Sequence, residues 1–338
     1  MIIDLPSTTT TQVNTSLVEL RETGGAIALG RVLTLVVSAA DSDPVEEAIE
    51  AANDVSREHP ARVIVLVRGA RNAAARLDGQ IRIGGDAGAS EVIVLRLYGQ
   101  LANQAPSVVV PLLLPDAPIV AWWPFVGPKS PATDPLGRLA QRRITDSAAE
   151  NAPVRTLRTR GRSYVAGDTD LAWPRLTHWR AQLVSALDLP PYEEVLSASV
   201  TGEGDSPSTE LLAGWLAEYL GVPVKRVRTT QAQGIVSVSL RRHSGKVVLH
   251  RPDGQTGTLT QPEQPTRHVG LQRRETRDCL AEELRRLDPD EVYQAALHGL
   301  RRLSGRTTRS TTDASGDSAG RSAGGSDKKS ADGKGSSR

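Results

Sequence analysis

Apolar positions fall into short unbroken runs in the first half of the chain and into alternating patterns in the second. Val32–Val37 is a β-branched run followed by the turn residues Asp41, Ser42 and Asp43. Arg62–Val67, Glu91–Leu97 and Ala117–Trp122 are similar runs, bounded by breakers and of strand length. Between them the period changes. Val13, Leu17 and Leu20 recur at spacings of four and three, which predicts a helix within Ser7–Glu22. Pro44 opens the Ala- and Glu-rich stretch Val45–Arg57, a second helix that His59-Pro60 stops. A shorter helix is expected between Gln100 and Leu114, a loop and short helix over Pro128–Ala140, and a strand near Arg143–Asp146. Strand, helix, strand with short breakers is the pattern of an α/β sheet with parallel pairing.

The second half reads differently. Leu171–Leu187 predicts a helix, Glu193–Val200 a strand, and Pro207 opens a helix with Leu211, Leu212, Trp215, Leu216, Tyr219 and Leu220 on a wide apolar face. Gly234–Leu240 alternates apolar with polar, Lys246–His250 follows the Ser244-Gly245 turn, and Asp253-Gly254 leads to a strand at Thr256–Thr260. Leu280, Leu284 and Leu287 stripe one further helix. Asp288-Pro289-Asp290-Glu291 reads as an N-cap, a first-turn proline and a capping-box glutamate for a last helix running to Leu303. The expected architecture is thus an α/β domain over 1–155, mostly parallel sheet with helices, then an α+β domain over 156–303. The boundary falls inside Val154–Asp170, a polar, Arg-rich stretch read as a linker or long surface loop.

Composition adds a third part. From Ser304 to Arg338 there is no Leu, Ile, Val, Phe, Trp or Tyr, so residues 304–338 are expected to be disordered. These 35 residues carry seven basic and four acidic side chains. Since the whole chain of 338 residues is at +2, the body stands near −1 and lacks the basic excess of a folded nucleic-acid-binding domain. The most apolar stretch, Val108–Val126, is interrupted by Pro111, Pro115, Pro118, Pro124 and Asp116, and is no membrane span. With Asp4 where a leader peptide needs an apolar run, the expectation is a soluble, cytoplasmic protein.

Motifs for chemistry are mostly missing. No Gly-rich phosphate loop or dinucleotide fingerprint follows a strand, and no cofactor is expected. The Gly320–Gly324 match to a hydrolase elbow lies in the tail, where no strand or helix can strain the turn. The six histidines lack metal-ligand spacing, and Cys279 is alone, so no internal disulfide can form. Adjacent acids such as Glu46-Glu47, Glu193-Glu194 and Glu282-Glu283 point to different sides and read as solvated surface.

Two clusters stand out. Arg155, Arg158, Arg160 and Arg162 read as a solvated loop, with contact to a sugar phosphate or an acidic partner as the functional alternative. Four of the five tryptophans fall in Pro118–Pro124 and Asp170–Arg180. Trp122 and Trp123, adjacent on a strand, must face opposite ways, so one of them needs a second core, a ligand or a partner.

Met1–Pro6, Gly25–Leu35, His59–Arg62, Pro118–Trp123 and Leu171–Arg180, in that order, resemble the OpcA family of glucose-6-phosphate dehydrogenase assembly proteins in an actinobacterial form. The resemblance runs from about Met1 to Leu303. It implies a non-catalytic partner that binds glucose-6-phosphate dehydrogenase, favours its active oligomer and raises its activity in the oxidative pentose phosphate pathway. It makes Trp122, Trp123, Trp173, Arg175, Trp179 and Arg180 candidates for partner contact, or for the inter-domain packing that shapes the contact surface. Relatives in photosynthetic bacteria are linked to thiol control. Here Cys279 reads as an inert helix cysteine, with a mixed disulfide favoured by Arg274 and Arg277 as the alternative. The rival reading is an enzyme or sensor that binds a sugar phosphate through the Arg155–Arg162 loop.

Overall fold

Strands apolar at every position have to be covered on both faces, and the first half of the chain is arranged to do this. A computed structural model describes residues 1–23, 31–83, 91–230, 233–303 and 308–309. The chain begins with β1 (Ile2–Leu5), α1 (Thr10–Thr23), β2 (Leu33–Ala40), α2 (Val45–Ser56), β3 (Ala61–Arg68), β4 (Arg76–Ile83) and β5 (Glu91–Tyr98). It continues through α3 (Ala105–Val109), β6 (Ile119–Trp123), β7 (Arg142–Thr145), α4 (Pro153–Arg162) and β8 (Asp168–Asp170). Among the described residues these strands form one sheet of eight in the order β1-β4-β5-β3-β2-β6-β7-β8. From β5 to β8 the pairing is parallel, and β4 and β1 extend one edge antiparallel.

The sheet separates two cores. Val37, Val63 and Val65 point to one face with α2, while Ile64, Leu66 and Ile93 point to the other with α1 and α3. The adjacent tryptophans of β6 follow this alternation: Trp122 is buried in the first core and Trp123 in the second.

The second half continues with α5 (Thr177–Leu187), β9 (Ser197–Glu203), α6 (Pro207–Leu220), β10 (Val224–Thr229), β11 (Ile235–Arg241), β12 (Lys246–His250), β13 (Thr256–Thr260) and β14 (Arg267–Gly270). α7 (Thr276–Arg285), α8 (Glu291–Gly299) and the two-residue β15 (Thr308–Arg309) complete it. The second sheet runs β14-β13-β12-β11-β9-β10-β15, antiparallel except around β10. In β9 every second residue is buried, so one face of this sheet carries the core. α6 and α8 lie against that core and approach closely at Gly214 and Gly299, where a Cβ on either would run into the other helix's backbone. α7 crosses over: Cys279, Leu280, Ala281 and Leu284 pack with Val45, Ala48 and Ile49 in the first sheet's core.

The α/β and α+β readings match the two sheets. Several local readings change. Val154–Asp170 is not a surface loop but α4 followed by β8, the last strand of the first sheet. The Leu171–Leu187 helix starts as a 3-10 turn at Pro174–Leu176 and is α-helical from Thr177. The Glu193–Val200 strand moves to Ser197–Glu203. β4, β10 and β14 carry too many polar residues or glycines for an apolar run to announce them, and β1 is only four residues long and broken by Asp4. The expected tail holds β15, paired with Val227 and Arg228. Its other residues, Gly320–Gly324 included, lie outside the described residues, as does the 25–30 part of the Gly25–Leu35 motif. No helix among the described residues is long and apolar enough to cross a membrane.

Candidate functional site at the junction of the two sheets

The carboxyl ends of β7 and β8 deliver Asp146 and Asp170 to the place where the second half packs on the first. Asp170 is buried and accepts from Thr145 Oγ1 (2.9 Å), Ser147 N (3.0 Å), Ser147 Oγ (2.9 Å) and Ala172 N (3.0 Å). Burial, then the charge of Asp146, push its carboxyl above the usual range; Arg160 and the bonds from Ala172 and Ser147 oppose the rise. Asp146 caps the short turn that follows it and receives both terminal nitrogens of Arg175, at 2.8 and 2.6 Å. Burial works against the Arg175 charge, but this fork-to-fork bond holds the guanidinium above its ordinary value.

A second layer lies beneath. Trp173 is buried at 1% exposure, and its Nε1 donates to Asp290 Oδ2 at 2.8 Å. The Arg180 guanidinium stands 3.8 Å over the Trp173 ring, and Tyr293 packs on it at 5.7 Å. Burial pulls the Arg180 charge below its ordinary value. Trp179 is buried, with the Arg251 guanidinium 5.2 Å from its ring.

α7 closes the junction. Glu283 is buried against Arg142, which also donates to the Asp288 carbonyl at 2.9 Å. Its neighbour Glu282 pairs with Arg274 and accepts from Thr177 Oγ1 at 2.6 Å. The Glu282-Glu283 pair is therefore not solvated surface: its two carboxylates point apart, as expected, but each meets a partner from another element. Burial pushes the Glu283 carboxyl up, against Arg142. Cys279 on the same helix is buried, and burial raises its thiol to about 12 against the pull of Arg175 and Arg274. Arg277 turns outward to Glu275, Asp278 and Asp54, so it does not activate the thiol.

The structure brings Trp173, Arg175, Trp179 and Arg180 together here and places Trp122 and Trp123 in the two faces of the first sheet. The four motif tryptophans are at most 3% exposed, so as they stand they offer a partner no surface. The arginines of α4 divide by helical spacing. Arg155, Arg158 and Arg162 lie on the outer face, Arg158 held by Glu210 at 2.6 Å. Arg160 turns inward to Glu150, the Pro128 carbonyl (3.0 Å) and Asp170 (3.8 Å). No single loop gathers all four. Asp146, Asp170, Glu283 and Asp290 were missed because each is an ordinary acid in sequence, 23 to 141 residues from a group it meets. Among the described residues no group of three His, Cys, Asp or Glu is placed to hold a metal.

Fold and junction define a class: an α/β sheet and an α+β sheet locked by a buried network of tryptophan, arginine and carboxylates. Residues 52–162 match the family model described as the glucose-6-phosphate dehydrogenase subunit N-terminal domain, and residues 166–297 the corresponding C-terminal domain. Together they cover more than two thirds of the chain, which belongs to the OpcA family. No curated protein matches it. Among solved structures it is similar to an oxidoreductase from Sinorhizobium meliloti at 8% identity, covering 80% of this chain and 88% of that one, with a TM-score of 0.35. An E. coli structure described as trehalose-6-phosphate bound with UDP-2-fluoro glucose matches at 9% identity over 58% of this chain and 64% of that one, TM-score 0.24. An apo OtsA structure matches at 9% over 60% and 66%, TM-score 0.25. Likenesses of this size carry no statement about function.

Proposed function

We propose that this chain is a non-catalytic, cytoplasmic assembly factor and activator of glucose-6-phosphate dehydrogenase. The observation that carries the reading is the match to both subunit domains, in order, along one chain. An activator of this kind works by differential affinity: it binds the active oligomer more tightly than the inactive form, and by linkage the dehydrogenase's substrate tightens its binding in return. In this reading Trp122, Trp123, Trp173, Arg175, Trp179 and Arg180 act from inside. They fix how the two halves sit and so shape the surface offered to the enzyme. Arg155 and Arg162, exposed on α4, supply positive charge to an acidic partner face. The rival sugar-phosphate loop loses its geometry, because Arg155–Arg162 is helical and Arg160 is engaged inside.

The test is dehydrogenase kinetics on the cognate purified enzyme, titrated with this protein, beside size-exclusion chromatography of the mixture. A saturable rise in kcat/KM with co-elution is expected. Flat activity and separate elution, across a range of salt and substrate, would overturn the reading.

A further inference from the structure

At the carboxyl end of β9 the chain turns through Gly204 and Asp205 into α6, and a cavity of about 360 Å³ opens beside this turn. Small-molecule sites commonly run from about 300 to 1,000 Å³. Arg251, which is 6% exposed, also lines this cavity. Its terminal nitrogens donate to the Leu271 and Ile235 carbonyls at 2.6 and 2.7 Å, and its Nε has no acceptor. Among the described residues no carboxylate stands within 4 Å of it, as is true also of the buried Arg242, whereas the buried Arg142, Arg143, Arg160, Arg175 and Arg226 each meet one; the charge of Asp253 acts on Arg251 from farther away. A buried cation without a carboxylate in contact is costly to keep. Arg273 lines the same cavity, exposed and, among the described residues, without a hydrogen bond or ion pair. The positive end of α6, a helix of 14 residues capped by Ser206, faces the same space.

The cavity is not uniformly basic. Glu150, Glu203 and Asp205 also line it; Glu150 is held by Arg160 and Gly127 N, while Glu203 accepts from Gly234 N (2.9 Å) and Asp205 from Val154 N (3.1 Å). An ionised carboxylate has about four acceptor positions. The remainder suit hydroxyl donors and repel a bare anion. We propose that this cavity binds a sugar monophosphate, its phosphate between Arg251, Arg273 and the start of α6, and its hydroxyls on Glu203 and Asp205. The proposal goes beyond the dehydrogenase reading and is tested without the enzyme.

The experiment is isothermal titration of the full chain with a hexose 6-phosphate, the unphosphorylated hexose and inorganic phosphate. The hexose phosphate is expected to bind at least about tenfold more tightly than either control. Arg273→Glu should weaken it by about tenfold or more while leaving the Tm of the unliganded protein unchanged, since this side chain holds nothing in the fold. Absence of saturable binding would overturn the proposal. So would equal affinity for inorganic phosphate, which marks an anion site alone, or unchanged affinity in Arg273→Glu, which places the ligand elsewhere.

Discussion

Cys279 shows what a neighbourhood in sequence leaves undecided. Arg274 and Arg277 precede it, and beside the reading of an inert helix cysteine they left open a thiol activated by two guanidiniums. In the fold Arg277 faces outward, the sulfur is buried, and desolvation raises the thiol to about 12. A thiol held that high is protonated throughout the neutral range, so iodoacetamide labelling of the native protein should stay slow and nearly flat from pH 7 to 9. In urea, labelling should be fast and rise with pH through the ordinary cysteine range near 8.5. Mass spectrometry of the two time courses checks this, and rapid native labelling at pH 7 would contradict the burial. Trp122 and Trp123 were more legible. Strand geometry alone required them to face apart, and the second face proved to be a second core.

Helix boundaries test reasoning at the scale of the element. Asp288 and Asp290 both precede the last helix, and the capping-box spacing favoured Asp288 with Glu291. The structure uses Asp290, whose Oδ1 accepts from Tyr293 N at 2.9 Å while Oδ2 holds Trp173 Nε1. One carboxylate thus caps α8 and ties it to the junction, a double use that helix rules do not anticipate. Asp290→Ala should cost about 2–4 kcal/mol, from a lost cap and an indole left without its acceptor. Asp288→Ala should be close to neutral, because Asp288 contributes its backbone carbonyl, which accepts from Arg142 and survives the change. Urea unfolding of the two variants separates the assignments. α4 was illegible for a related reason. Its inward face is Val154, Leu157 and Arg160, and an arginine there hides the apolar period until Glu150 and Asp170 are seen to receive it.

For the whole molecule the decisive feature is the crossing of α7. This helix belongs to the second half by sequence, yet Leu280 and Leu284 complete the core of the first sheet, each worth about 2 kcal/mol on burial. Arg142–Glu283 and Arg175–Asp146 then join the halves with charge and hydrogen bonds. A fragment of residues 1–170 holds every strand of the first sheet but lacks this cover. It should melt without cooperativity and bind a hydrophobic dye, whereas residues 1–309 should match the full chain in Tm. A sharp, dye-silent transition in the shorter fragment would show that α7 is dispensable. Removing residues 310–338 should cost nothing in stability, since they contain no large apolar side chain to bury.

The sequence by itself determined the class of each half, because hydrophobic period depends on local backbone geometry and is written in consecutive residues. It also carried the family resemblance, and it required opposite faces for the paired tryptophans. The tertiary structure alone decided which acids meet which arginines, that four conspicuous tryptophans are interior, and that a buried Arg251 stands beside a cavity with no carboxylate in contact among the described residues. Those facts depend on residues tens to more than a hundred positions apart being brought within 3 Å. No period or spacing along the chain encodes such pairings, because closing loops of that length is a property of the whole fold.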